Sequence, residues 1–482
     1  MTDPHTVSVP HIDRLDEEGI RRIHEASIEL IEDYGIQISH ERALEVFEAH
    51  GATVEDELVK LDRETVEEAI EQAPSSFTLH GRGEGTDVHV GGEDVLRAPG
   101  YGPPNIVTFE DGRRGSQLDD YERFVKLAHE SSTINCTGYN VCEPNDVDQS
   151  VKHIEMIKRS LVLSDQPLMV STYGEDRAEA CMELVGIAVD DTELSRPYAA
   201  GLVNTVPPRS IDTKMAGGLL TFAEYGQPVV VSSFTMAGAS GPATLAGSLA
   251  QANAENLMGI TLAQLVNPGT PVVYGVPSSN IDMRHGSLSI GSPESMLFVS
   301  FAGQMGRHYD VPSRGGGGLS DSKTVDYQAG FESALVQAAT KFADIDFVLH
   351  AAGILESYSA ISPEKFVLDC EVLQYLDRFE DGYDLGKDAF AMDVMAGVDP
   401  ADHFLAESHT LKHAGDSFLL PEIADKRSHS DWADDGSQTA FEVGSEIVEE
   451  RLDAYERPSM AEDIEDELSD AIDRHLEQIS GE

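Results

Sequence analysis

The residues with chemical reach in this 482-residue chain fall in short runs, each directly after an apolar stretch. They are Tyr139–Asn140, Asn204–Thr205, Phe234 to Gly238, Pro277 to Asn280, Ser313 to Lys323 and His350 to Gly353. Together they supply aromatic rings, amides, small residues and one histidine, with few acids or bases. General acid–base catalysis needs a pKa-tuned donor or acceptor beside the reacting group. This composition suits a reaction governed by positioning and exclusion of water instead. Only two acid–base pairs present themselves, Asp282 with His285 and Asp321 with Lys323. Either would be needed by a barrel lyase or decarboxylase.

Four consecutive glycines, Gly315, Gly316, Gly317 and Gly318, permit close backbone approach and can turn successive N–H groups toward an anion. The same run also reads as a tight turn. Asp321, Lys323 and Asp326 follow it, as a local ion pair or as pocket lining. The plainer reading of His350 is a hydrogen-bonded core histidine.

What must position these groups is a repeating unit. Apolar runs at Thr133–Val141, Leu168–Tyr173, Tyr198–Asn204, Val229–Phe234, Val272–Val276, Ser313–Leu319 and Phe347–Gly353 alternate with helical periods. The helices fall near Val147–Ser164, Asp176–Val189, Ile211–Tyr225, Ala243–Val266, Pro293–Tyr309 and Val325–Ala343. Such alternation predicts a parallel sheet. No GxGxxG joins the first strand to its helix and the unit count approaches eight, which favours a (β/α)8 TIM-type barrel over an open doubly wound sheet. The eighth strand has no evident place. In such a barrel the groups just after each strand face the active site.

Around the barrel core, expected over 116–424, residues 1–115 read as a helical N-terminal cap with a small antiparallel β decoration between Phe77 and Arg114. Residues 425–482 read as an acidic helical C-terminal arm. Its apolar positions Trp432, Phe441, Val443 and Ile447 have no obvious partner in the barrel, which points to a homo-oligomer.

Lys and Arg number 33 against 87 Asp and Glu, a formal net charge of -54. With 40% hydrophobic residues the chain is not disordered. Self-repulsion of that size is tolerable where molar salt shortens the Debye length to about 3 Å, so a halophile's cytoplasm is expected. The charge disfavours nucleic acid and anionic membrane as partners. The opening MTDPHTVSVPHIDRLDEEG has no basic segment followed by an apolar one, and no run is long enough to span a bilayer. Cys136, Cys142, Cys181 and Cys370 form no CxxC or Cys/His cluster and read as buried free thiols, so no metal site is expected.

Longer stretches carry a resemblance. Met236 to Gly275 (MAGASGPATLAGSLAQANAENLMGITLAQLVNPGTPVVYG) is similar to the central signature of the trimethylamine methyltransferase family. So are Ile281–Glu294, Pro312–Leu335, Leu349–Glu356, the opening Gly19–Ile36 and the HTLKH of His409–His413. The resemblance covers nearly the whole chain. It implies a (β/α)-barrel that passes a methyl group from a methylated amine to cob(I)alamin carried by a separate corrinoid protein, with no cofactor tightly bound. Members acting on trimethylamine contain pyrrolysine. This sequence reads through without one, which moves the expectation to the branch resembling glycine betaine methyltransferases.

Leaving-group chemistry agrees. A quaternary ammonium departs as a neutral tertiary amine, whereas a tertiary amine first needs activation. A quaternary cation has no hydrogen to donate and is held by aromatic faces, for which Tyr101, Tyr139, Phe234, Tyr274, Tyr327 and Phe331 are the available rings. A betaine carboxylate would go to the Gly315–Gly318 backbone, Arg284 or Arg314. Asn204 and Asp321 complete the expected substrate-binding set, and His350, the expected catalytic residue, resembles a barrel histidine of the family that orients substrate or cobalt. A protein that binds or senses a quaternary amine without catalysis would keep the cage and lose the corrinoid partner.

Overall fold

Ser292-Pro293 and Ser362-Pro363 show why the helices begin where they do. Each serine hydroxyl accepts the backbone N–H three residues on, and each proline occupies a first-turn position whose N–H would have no helical acceptor. Asp212 and Asp326 cap two more helices in the same way. The computed structural model describes residues 11–386 and 389–481, so Met1–Pro10, the first part of the stretch read above for an export signal, lie outside the described residues.

Seven strands form one parallel sheet: β1 Leu96–Arg97, β2 Leu168–Val170, β3 Ala199–Asn204, β4 Val229–Ser232, β5 Val272–Gly275, β6 Ser313–Arg314 and β7 Phe347–Val348. Pairing runs β2-β3-β4-β5-β6-β7-β1, for example Val230 against Val273 and Phe347 against Leu96. The strand with no evident place in the sequence is therefore Leu96–Arg97, inside the stretch read as antiparallel. Two residues cannot show a period.

The segment 133–141 lies between β1 and β2 and closes the barrel without being a strand. Asn135 N–H donates to Arg97 O (3.2 Å), Thr137 N–H to Pro167 O (3.0 Å), and Met169 N–H to Gly138 O (3.2 Å). The Asn135 side chain accepts from Arg97 N–H (2.7 Å) and donates to Val95 O (3.0 Å). A regular ladder fails here because Pro99 and Pro167 on the flanking chains offer no N–H, and Gly138 turns the backbone at φ 69°.

Helices surround this ring, at Leu118–His129, Lys152–Leu163, Glu175–Ala188, Thr213–Glu224, Leu245–Val266, Pro293–Tyr309, Tyr327–Phe342 and Pro363–Glu380. Both faces of the strands are covered, and Val229, Val230 and Val231 are all fully buried. Leu245–Val266 is buried from Ser248 to Gln264 because the N-terminal helix Glu17–Glu29 covers its outer side, joined by Ser27 Oγ donating to Ala250 O (2.9 Å). No helix among the described residues is long and apolar enough to cross a membrane.

The C-terminal arm docks on its own barrel. Helix Ala440–Ala454 packs on Pro363–Glu380 and Glu462–Gly481 on Glu175–Ala188, burying Val448, Leu468, Ala471 and Ile472. Val443 and Ile447 join the main core, Phe441 stacks edge-on against Phe109 (5.3 Å), and Trp432 Nε1 donates to Gln438 O (3.0 Å). The positions that pointed to self-association thus have partners within this chain. Open apolar surface lies before the arm instead, at Tyr383, Met392, Leu405, Leu411 and Leu420.

Candidate active site

At the carboxyl ends of the strands lies a cavity of about 360 Å³. Tyr101 reaches it from the loop after β1, Asn204 and Thr205 from the end of β3, Phe234 and Met236 from beyond β4, Arg314 from the end of β6, and His350 from just after β7. Tyr358 arrives from a loop further on. Of the expected residues the structure brings together Tyr101, Asn204, Phe234, Arg314 and His350. Among the described residues the lining contains no carboxylate.

Arg314 is 2% exposed, yet no acidic partner is found for it among the described residues. Its Nη1 donates to Ser232 Oγ (3.2 Å), and its Nε has no partner among the described residues. Burial pulls the guanidinium down to about 10, partly offset by the nearby Tyr358 and Tyr101 hydroxyls. A buried cation without a counter-charge is expensive, and an anion entering the cavity would offset that cost.

His350 sits at φ 71°, a conformation costly for a non-glycine residue. Its N–H donates to Pro99 O (3.2 Å) and its carbonyl accepts from Gly318 N–H (2.8 Å). Tyr101 N–H donates to His350 Nδ1 (3.1 Å), which leaves the ring proton on Nε2. Burial, then the charge of Arg314, holds the imidazole well below its ordinary pKa. It is a neutral N–H donor and not a proton-carrying cation. Its ring lies 4.7 Å from Tyr358 and 6.5 Å edge-on to Tyr101, and Tyr358 lies 5.8 Å from Phe234. One wall of the cavity is therefore a chain of rings.

Gly315 to Gly318 support this wall from behind. A Cβ on Gly316 (φ 62°) would lie 1.7 Å from Thr340 Oγ1, and one on Gly317 (φ 118°) 2.2 Å from His350 O. Gly317 N–H donates to Thr340 (3.1 Å), and Gly318 O accepts from buried Lys365 (3.0 Å), which pairs with Asp369 (2.7 Å). These glycines let the β6 end pass under the His350 carbonyl, and their contacts are with the protein.

The remaining expected residues lie apart from the cavity. Tyr139 stands behind Tyr101 at 6.4 Å between rings. Tyr274 is fully buried and points into the helical layer, donating to Asn253 Oδ1 (2.7 Å). Arg284 projects from a hairpin tip and pairs with Asp282 (2.6 Å), whose carboxyl it holds below the usual range. Asp321 accepts from Ile290 N–H (2.9 Å), Gly291 N–H (3.1 Å) and Ser357 Oγ (2.6 Å), bracing loops together. Tyr327, 86% exposed, and Phe331 stack at 5.4 Å on the outside of the barrel. Neither acid–base pair faces the cavity: His285 is 71% exposed beside Asp282, and Lys323 donates to the Asp321 backbone carbonyl.

Two residues escaped the sequence reading. Tyr358 lies in an irregular loop with no period to betray it. Glu255, fully buried, accepts from Thr205 Oγ1 (2.6 Å), Ser233 Oγ (2.8 Å), Gln251 (3.1 Å) and Arg209 N–H (2.7 Å), one layer behind the cavity. Burial raises its pKa, and the four donors oppose that. A signal was present, since Glu255 is the only charged residue between Glu224 and Asp282.

The family model described as trimethylamine methyltransferase (MTTB) matches residues 3–480. The glycine betaine methyltransferase of Desulfitobacterium hafniense (strain Y51) is 40% identical over 98% of this chain and 99% of its own. The proline betaine:corrinoid methyltransferase of Eubacterium limosum is 30% identical over 87% and 88%. The crystal structure of the Methanosarcina barkeri monomethylamine methyltransferase shares the fold, with a TM-score of 0.52 at 10% identity over 93% of this chain and 90% of that one.

Proposed function

The chain belongs to the trimethylamine methyltransferase family, and from that premise we propose that it moves a methyl group from a carboxylate-bearing quaternary amine, glycine betaine first, to the corrinoid of a partner protein. The observation that carries this reading is Arg314, a buried cation facing the cavity with no carboxylate to neutralise it. A zwitterion brings the missing anion. Its cationic end suits the ring faces of Phe234, Tyr358 and Tyr101. The cavity, about 360 Å³, falls in the range of small-ligand pockets.

The bound corrinoid would supply a Co(I) nucleophile that accepts the methyl group. The chain's own residues hold the ammonium so that one N-methyl carbon faces the barrel mouth, and exclude water around it. When the C–N bond breaks, its electron pair stays on nitrogen and the amine leaves neutral, so no proton donor is required. The neutral His350 and the absence of lining carboxylates fit that economy. They speak against a lyase, which would need a tuned acid or base in the cavity. We also propose a salt-rich cytoplasm, self-association and no tightly held corrinoid on this chain.

The test is methylation of cob(I)alamin, free or on the partner protein, followed by loss of its Co(I) absorbance with glycine betaine, other betaines, carnitine, choline and trimethylamine. Turnover with glycine betaine and none with trimethylamine is expected. Turnover with trimethylamine alone would overturn the reading. Binding of betaine without turnover would favour the binding-protein alternative.

A further inference from the structure

Glu356, Ser357 and Tyr358 all have positive φ, at 50°, 53° and 71°. Each such non-glycine residue is strained, and three in succession persist only where the surroundings over-determine them. Here they do. The Glu356 carboxylate accepts from Arg113 Nε (2.9 and 3.0 Å), and its N–H donates to Ser322 O (2.9 Å). Ser357 Oγ donates to Asp321 (2.6 Å) and lies 3.0 Å from Leu288 O, while its N–H donates to Ser320 O (3.2 Å). Three separate segments of the barrel rim hold this turn in a conformation it would otherwise leave.

What the turn delivers is the Tyr358 ring, between His350 and Phe234, with its hydroxyl buried and without a partner among the described residues. An unsatisfied buried hydroxyl is destabilising and calls for an explanation. The Nε of Arg314, lining the same cavity, is likewise buried and unpartnered. Both groups are donors, and no lining carboxylate is found to accept from them among the described residues. Burial raises the phenol to about 12, so it keeps its proton. We propose that the Tyr358 hydroxyl and the Arg314 guanidinium form one clamp for the substrate carboxylate, and that the rim-anchored turn at 356–358 exists to place its second arm. This rests on the function proposed above and assigns Tyr358 a binding role and a part in specificity. The clamp selects a carboxylate over an alcohol on the same quaternary head, because the carboxylate offers an oxygen to each donor and the negative charge that buried Arg314 lacks, whereas an alcohol offers one neutral oxygen.

Tyr358→Phe tests it, since the ring stays against His350 and Phe234 and only the hydroxyl goes. Glycine betaine and choline share a trimethylammonium head and differ in the carboxylate. Calorimetric titration of both into wild type and Y358F should show glycine betaine weakened about tenfold and choline unchanged. The melting temperature without ligand should hold or rise, because an unpartnered hydroxyl has been removed. Equal loss for both ligands, or none for glycine betaine, overturns the clamp alone. A wild-type chain that binds neither ligand overturns the functional reading and the clamp with it.

Discussion

Arg314 places substrate binding and resting stability in opposition. Replacing a buried, uncompensated charge by an apolar side chain of similar length often stabilises a fold by about 1–4 kcal/mol. Arg314→Met should therefore raise the melting temperature while weakening glycine betaine at least tenfold, as loss of a charge-assisted hydrogen bond implies. Calorimetry and a thermal melt read both, and a lower melting temperature with unchanged affinity would refute the role. His350 makes a pH statement opposite to that of a histidine in an ion pair. Its folded pKa lies below the unfolded value of about 6.5, so the unfolded chain binds more protons in that window and stability falls as pH drops through it. His350→Gln should reduce that acid sensitivity, seen as a shallower decline of unfolding free energy between about pH 6.5 and 5. Equal slopes would count against a neutral buried ring. The residues at strand ends were legible in type, and Asn204, Thr205, Phe234, Met236, Pro277, Arg314 and His350 do meet in one cavity. Tyr274 shows why others were not. Barrel strands are buried on both faces, so hydropathy does not reveal which side chains point inward. Arg284 was misleading for another reason, since the run after β5 leaves the barrel as a hairpin and carries it into solvent.

At the scale of elements, β6 and β7 are fitted to each other through glycine. From the sequence alone, valine at Gly316 or Gly317 is expected to lower turnover without unfolding the barrel, because both residues follow a predicted strand. The structure shows otherwise: a side chain at Gly317 would collide with the His350 carbonyl, at a positive φ that L-residues avoid. Even Gly317→Ala should cost more than about 2 kcal/mol and displace His350, lowering melting temperature and turnover together. A variant with full activity and stability would contradict this packing. The helices were legible as longer segments of helical period, and Ala243–Val266 was expected where Leu245–Val266 is found. The first strand was not, since Leu96–Arg97 is recognised only through its partner Phe347 in β7, far along the chain.

At the scale of the whole molecule, a charge of -54 predicts that the melting temperature climbs steeply between about 0.1 and 2 M KCl as carboxylates are screened. A flat profile would remove the argument for a salt-rich environment. The exposed apolar residues at 383–420 suit an interface, so light scattering in high salt should give a multiple of the chain mass. Leu411→Asp with Leu420→Asp should reduce it, and a monomeric wild type would dismiss the interface. The barrel also has a seam. Between β1 and β2 its ring is completed by a few backbone bonds and by the amide of Asn135, where the other staves are joined strand to strand. Amide protons along 133–141 should accordingly exchange with solvent sooner than those of β3 or β4, measured as deuterium uptake. Tyr139 lies on that seam and backs Tyr101, so faster exchange there would mean that, under the proposed function, the spent amine departs past the most yielding wall of the cavity.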